Sequence, residues 1–175
     1  MDILFIGHSL IEFFDWQHRF PAHRTANLGV AGETVEGLLS RIERVIERHA
    51  KADLIFMMTG LNNVAMEDFE FFDSYRNILG RLSAAYPGER IYVNSLLPVM
   101  VEFISDDSIR EVNRELESLA GDEGVEFLDI YRLFIDGTGR AVKDYLLDDG
   151  VHLSDKGYVV WSRALEGIIN QQLKS

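Results

Sequence analysis

A serine near the start of the chain and an aspartate and histidine near its end have the residue types of a nucleophilic site. The apolar run Ile3–Ile6 ends shortly before Ser9, and Asp149 stands three residues before His152. A serine hydroxyl becomes a good nucleophile when a histidine removes its proton and a carboxylate orients the imidazole. Because residues three apart can lie side by side, we expect Asp149 to hold one ring nitrogen of His152 while the other faces Ser9.

A second acid leaves an alternative open within this group. Asp148 directly precedes Asp149 and would orient the histidine if the turn were displaced by one residue. Such a shift, however, points the carboxylate in a different direction. The spacing therefore favours Asp149 as the orienting acid.

Attack of a serine on a carbonyl also requires hydrogen-bond donors for the oxyanion that develops. Three candidates are the backbone N–H of Ser9, the backbone N–H of Gly32 and the side-chain amide of Asn62. A glycine lets the backbone approach the reacting carbon closely, and an asparagine donates without adding charge. Plainer roles are also open: Ser9 as a turn residue or helix cap, Gly29 and Gly32 in a strand-to-helix turn, Asn62 in an Asx turn, and Asn63 as a loop cap.

These residues require a scaffold that brings the two ends of the chain together. Apolar runs of strand length alternate with helical patterns, which is typical of an α/β fold with a parallel sheet covered on both faces. Polar or glycine-rich segments follow the first three strands, at the edge where such sheets bind ligands. The strand order 2-1-3-4-5 would make these loops neighbours. The predicted strands are Ile3–Ile6, Thr25–Leu28, Leu54–Met58, Ile91–Asn94 and Glu126–Leu128.

Four long helices are predicted from apolar residues at helical spacing. The last begins after Ser154, which has the side chain of an N-cap. The segment Ser95–Asp107 is the main irregular connection. The apolar stripes are Val35, Leu38, Leu39, Ile42, Val45 and Ile46; Phe69, Phe72, Leu79 and Leu82; Ile109, Val112, Leu116 and Leu119; and Tyr158, Trp161, Leu165, Ile168 and Ile169.

Composition narrows the class of protein. With 175 residues and 47% hydrophobic side chains, we expect one domain spanning residues 1–175. A net charge of −12 argues against nucleic-acid partners, and no apolar run reaches the roughly 20 residues of a membrane span. The chain has no cysteine and its start lacks an export signal, so we expect a cytoplasmic protein. His18, His23 and His49 lack metal-ligand spacing, and no metal site is predicted.

Four blocks follow one another along the chain: Gly7-His8-Ser9, Asn27 to Thr34, Gly60-Leu61-Asn62-Asn63 and Asp149-Gly150-Val151-His152. In this order they resemble the SGNH hydrolases, the superfamily of GDSL-type esterases and lipases. The resemblance covers nearly the whole chain and implies Ser9 as the nucleophile, Gly32 and Asn62 as oxyanion donors, and Asp149 and His152 as the other triad members. It also implies a flavodoxin-like, three-layer α/β/α sandwich with five strands, and ester hydrolysis without a metal or organic cofactor.

Two positions depart from the pattern of that superfamily. His8 stands where an aspartate is usual, and Asn63 stands where Gly-x-Asn-Asp would end in a second acid. Each substitution removes a carboxylate beside the site and leaves the proposed triad and oxyanion donors unchanged. His8 has two open roles, a substrate contact or a side chain buried beneath the loop.

A small ester is the expected substrate. The chain leaves little length for a lid, which favours short acyl groups; acetylated carbohydrates, lysophospholipids and thioesters all fit. The alternatives to hydrolysis are an acyltransferase that uses the same residues and a non-catalytic binding protein that retains the fold. Apolar side chains near the site fit an acyl pocket, the core or a homodimer contact: Phe13, Phe14, Trp16, Phe20, Leu97, Val99, Met100 and Phe103.

Overall fold

A five-stranded parallel sheet lies at the centre of the molecule. The computed structural model describes residues 1–173 and places the strands in the order β2-β1-β3-β4-β5, all parallel. This confirms the predicted fold class and strand order. Two strands have the predicted bounds, and the other three are longer by a residue at one or both ends. The strands are β1 (Asp2–Gly7), β2 (Arg24–Gly29), β3 (Leu54–Met58), β4 (Arg90–Asn94) and β5 (Glu126–Leu128).

Within residues 1–173, the helices comprise the four predicted long ones and three of about one turn. The short helices were not predicted, because one turn is too short to show a repeating apolar pattern. Phe69 was assigned to a helix but lies before it and is 42% exposed. The helices are α1 (Ser9–Glu12), α2 (Trp16–Arg19), α3 (Val35–Arg48), α4 (Leu61–Ala65), α5 (Phe72–Ala85), α6 (Asp106–Asp122) and α7 (Asp155–Gln172), with 3-10 turns at Tyr131–Leu133 and Lys143–Tyr145.

Aromatic packing fixes which helices share a face of the sheet. The ring of Trp16 in α2 stacks on Phe5 in β1 with centroids 4.0 Å apart, and the ring of Trp161 in α7 lies edge-on to Trp16 at 5.2 Å. Arg19 in α2 also binds the Glu166 carboxylate in α7. Thus α2 and α7 cover one face, whereas right-handed crossovers place α3, α5 and α6 on the other.

The start of α7 sets the position of the segment that precedes it. Ser154 caps this helix by accepting a hydrogen bond from the Gly157 N–H, as predicted. The Tyr158 hydroxyl in the first turns of α7 donates to the Leu10 carbonyl in α1 at 3.0 Å. The entry loop of α7 therefore lies beside the carboxyl end of β1.

Within residues 1–173, no helix combines the length and the hydropathy needed to cross a bilayer.

Candidate active site

Ser9 and His152 meet although 143 positions separate them along the chain. Ser9 is the first residue of α1, directly beyond β1, and its Oγ lies 3.0 Å from His152 Nε2. The Nδ1 atom of His152 lies 2.7 Å from Asp149 Oδ2. With a proton on Nδ1, the imidazole donates to Asp149 and Nε2 can accept the Ser9 proton. The expected convergence of the two ends of the chain is thus observed.

A tight turn presents Asp149 and His152 together. The Oδ1 atom of Asp149 accepts the backbone N–H groups of Val151 and His152, each at 2.9 Å. The turn is closed by a bond from the Leu147 N–H to the His152 carbonyl at 2.7 Å. Asp149, and not Asp148, is the acid in contact with the imidazole.

The hydrogen bonds to Asp149 stabilise its ionised form. Burial by itself would raise the pKa of this carboxyl, but the bonds from the His152 ring and from the two backbone N–H groups lower the pKa to about 2. The carboxylate is therefore charged at neutral pH. It can hold the ring orientation and stabilise an imidazolium if His152 takes up a proton.

The loop that carries Gly32 is bonded to the helix that carries Ser9. Glu12, in α1, accepts the Ala31 N–H through its carboxylate at 2.5 Å, and the Val30 N–H donates to the Gly7 carbonyl at 2.8 Å. Gly32 itself has φ +75°, a conformation that favours glycine. Sequence reasoning missed Glu12. Its position on the same helical face as Ser9 was the available signal.

Asn62 reaches the same loop from the other side. Its side-chain amide donates to the Glu33 carbonyl at 2.9 Å, directly after Gly32. One of the two amide hydrogens is used in this bond, and the other remains for a further acceptor. The segments of Gly32, Asn62 and Ser9 are thus linked at one edge of the sheet. Ser9 is the first residue of α1, so its backbone N–H has no acceptor within that helix.

The two residues that depart from the superfamily pattern are both buried. Asn63 accepts a hydrogen bond from the Val35 N–H at 2.9 Å and donates to Glu36 and Asp68, so it binds the first turn of α3. His8 is 1% exposed, and its Nδ1 accepts the Leu10 N–H at 3.4 Å. This position beneath the loop is the second of its two expected roles.

The environment of His8 keeps its imidazole neutral. Burial first, and then repulsion from a charged His152, lower its pKa to about 4. A neutral His8 adds no charge beside the nucleophile.

The apolar residues suggested for a pocket divide between core and surface. Trp16, Phe20, Leu97 and Val99 are buried. Met100 and Phe103 are 51% and 69% exposed in the irregular segment after β4. Phe13 is 57% exposed, and its ring centroid lies 5.3 Å from that of His152. Phe13 is therefore the aromatic side chain that flanks the candidate base.

In the part of the chain that the structure describes, no group of His, Asp and Glu is arranged to hold a metal ion.

Comparisons with known proteins find relatives in sequence and solved structures with a similar fold. The chain is 25% identical over 177 residues to platelet-activating factor acetylhydrolase IB subunit alpha1 from Homo sapiens, covering 96% of this chain and 75% of that one. A solved structure from Streptococcus pneumonia, described as a platelet activating factor, is 28% identical with a TM-score of 0.85, over 95% of this chain and 82% of that chain. An acetylxylan esterase from Geobacillus stearothermophilus shares the fold at 16% identity and a TM-score of 0.76, covering 94% and 91%.

The match to a family model spans most of the chain. It covers residues 13–160 and corresponds to the GDSL-like lipase/acylhydrolase family. The matched region begins just beyond Ser9 and includes the glycine block, Asn62, Asp149 and His152. By this match, the chain belongs to the GDSL-like lipase/acylhydrolase family.

Proposed function

We propose that this protein is a serine esterase that hydrolyses short-chain carboxylic esters. The observation that carries the proposal is the continuous hydrogen-bonded chain from Ser9 Oγ through the His152 ring to Asp149, at 3.0 and 2.7 Å. These distances lie within the reach needed for general-base activation of a serine.

The reaction proceeds through an acyl-enzyme. His152 takes the hydroxyl proton as Ser9 attacks the ester carbonyl, and the oxyanion is held by the Ser9 and Gly32 N–H groups and the Asn62 amide. His152 then gives its proton to the leaving alcohol. A water molecule, activated by the same histidine, releases the acid and regenerates Ser9.

The comparisons with known proteins favour a short acyl group. Two of the similar proteins are described by their action on acetyl groups: an acetylhydrolase and an acetylxylan esterase. The partial exposure of Ser9 and His152 leaves the site open to water, which favours hydrolysis over acyl transfer.

Replacement of the nucleophile tests the proposal directly. We expect Ser9→Ala to abolish turnover of p-nitrophenyl acetate, since the acyl-enzyme cannot form. A fluorophosphonate probe should add one adduct to the wild-type mass and none to that of the variant. Ser40→Ala, at an exposed position in α3, is the control and should retain both activities. Full activity of Ser9→Ala, or labelling that persists without Ser9, would exclude the mechanism.

A further inference from the structure

A cavity opens beside His152, the candidate base. A histidine base returns its proton to the leaving oxygen, so the alcohol part of an ester lies next to the imidazole during acyl transfer. The cavity has a volume of about 600 Å³, a size typical of small-molecule sites. Its lining includes His152, Phe13, Phe14, Leu147, Leu153 and Tyr158.

The wall of this cavity is largely apolar and partly exposed. Phe13 and Leu147, which both line the cavity, are 57% and 51% exposed and present apolar surface to it. Behind them, the ring of Phe14 stacks on Tyr158 with centroids 4.4 Å apart. The stacked pair gives the cavity a fixed aromatic floor.

The polar groups of the lining are largely engaged within the protein. The Tyr158 hydroxyl donates to the Leu10 carbonyl at 3.0 Å. The Ser154 hydroxyl donates to the Asp144 carbonyl at 2.7 Å, and the carboxylate of Asp144 pairs with Lys156 at 2.8 Å. An alcohol with many hydroxyl groups would therefore find few free partners here, whereas an apolar alcohol would lose little by desolvation.

The charges around the cavity are mainly negative. Asp144 and Asp155 line it and Asp149 holds the adjacent imidazole, while Lys156 is the basic residue of the lining. The hydrogen bond from Lys156 lowers the pKa of Asp144, which is therefore ionised at neutral pH. The whole chain adds a net charge of −12. The balance of charge around the cavity is therefore negative, which disfavours an anionic alcohol relative to a neutral or cationic one.

We propose that this cavity is the alcohol subsite and that it takes an apolar or aromatic alcohol without negative charge. The inference rests on the proposed esterase function and specifies its substrate class. In the step concerned, the bond between the acyl carbon and the alkoxy oxygen breaks and the acyl group stays on Ser9. The proton on His152 Nε2 passes to the departing oxygen, and the neutral alcohol leaves through the cavity.

Three phenyl acetates that carry a neutral, a cationic or an anionic group at the same ring position test the charge preference. They are meta-tert-butylphenyl acetate, meta-trimethylammoniophenyl acetate and meta-acetoxybenzoate, with kcat/KM divided by the rate of alkaline hydrolysis of each ester. We expect the neutral and cationic esters to exceed the anionic one by about tenfold or more, which corresponds to about 1.4 kcal/mol. An acetylated methyl glucoside should be hydrolysed less efficiently than the neutral aryl ester.

A charge placed on the cavity wall should change this ranking. Leu147→Lys is expected to raise the ratio of anionic to cationic ester turnover by about tenfold, because it places a cation beside the leaving group. Leu133→Lys adds the same charge at another exposed leucine, beyond β5, and should leave the ratio unchanged.

A measurement without turnover separates the two proposals. Meta-tert-butylphenol should slow fluorophosphonate labelling of Ser9, whereas meta-hydroxybenzoate should not. If Ser9 is labelled and required, but all esters react equally and neither phenol protects, the alcohol subsite is wrong and the esterase proposal stands. If Ser9 is neither labelled nor required, both proposals fail.

Discussion

At the scale of single residues, Asp149 has the most constrained environment of the proposed triad. Its carboxylate accepts hydrogen bonds from the His152 ring and from two backbone N–H groups. These bonds lower its pKa to about 2, although burial opposes that change. Asp149 thus orients the His152 ring and also stabilises the turn that carries His152.

Removal of this charge should reduce catalysis while largely preserving substrate binding. We expect Asp149→Asn to lower kcat for p-nitrophenyl acetate by about 10⁴-fold, as for other enzymes with a Ser-His-Asp arrangement, because the imidazole adopts the wrong tautomer. Steady-state kinetics should show a much smaller change in KM.

The adjacent acid provides a matched control. Asp148→Asn removes the same charge one residue away, at an exposed position. It should retain kcat within about twofold, since surface substitutions of this kind are usually mild. Equal losses from both variants would contradict the assignment of Asp149.

At the scale of elements, β2 holds α1 and therefore Ser9 in place. The two N–H groups of the Asn27 side-chain amide are shared among the carbonyls of Ile11, Glu12 and Phe14, each 3.0 Å from the amide nitrogen. Gly29 approaches the same helix so closely that a Cβ would lie 2.2 Å from the Glu12 backbone nitrogen. The lack of a side chain at Gly29 thus allows α1 to begin where it does.

An added methyl group at Gly29 should move this helix. We expect Gly29→Ala to lower the free energy of unfolding by about 1–3 kcal/mol, the usual cost of overpacking. It should also lower kcat by more than tenfold, because Ser9 lies on the displaced helix. Denaturant unfolding and ester kinetics measure the two effects.

A glycine in an exposed helix interior is the control for this variant. Gly80 lies within α5, and a Cβ there would meet no atom within 4 Å. Gly80→Ala should therefore stabilise the protein by about 0.5–1 kcal/mol through helix propensity. Unchanged stability and activity in Gly29→Ala would show that α1 accommodates the methyl group.

At the scale of the whole molecule, the buried imidazole of His8 couples folding to pH. In the folded chain its pKa is lowered to about 4 from an ordinary value of 6.5. Between these values the unfolded chain binds more protons than the folded one. Stability from a neutral His8 is thus complete above pH 6.5 and is lost as the pH falls toward 4.

The free energy of unfolding should consequently decrease by about 3 kcal/mol between pH 6.5 and 4. His8→Asn keeps a side chain able to cap α1 but does not titrate, so its stability should depend less on pH in this range. Chemical denaturation at several pH values measures the difference.

Replacement of an exposed histidine separates this effect from general charge changes. His18→Asn, in α2, should leave the pH dependence close to that of the wild type. Parallel pH profiles for the wild type and His8→Asn would mean that His8 is not the group responsible. The loss of stability linked to protonation of Asp149 occurs below about pH 4, which is outside the pH range in which His8 contributes.

The amino-acid sequence by itself determined most of the local structure. The bounds of β3 and β5, the N-cap at Ser154 and the pairing of Asp149 with His152 follow from backbone spacing and side-chain chemistry within a few residues. The order of the four blocks was enough to indicate the superfamily. Single-turn helices such as α1 and α4 could not be predicted, because their stability comes from contacts made elsewhere in the fold.

Only the tertiary structure decided which distant groups meet. Parallel pairing and right-handed crossovers bring the carboxyl ends of β1, β2 and β3 together, and the packing of α7 against α2 then carries His152 to Ser9. The same packing buries His8 and leaves Phe13 exposed beside the imidazole. A sequence pattern indicates which residues are apolar enough to be buried, but long-range packing determines which of them lie in the core.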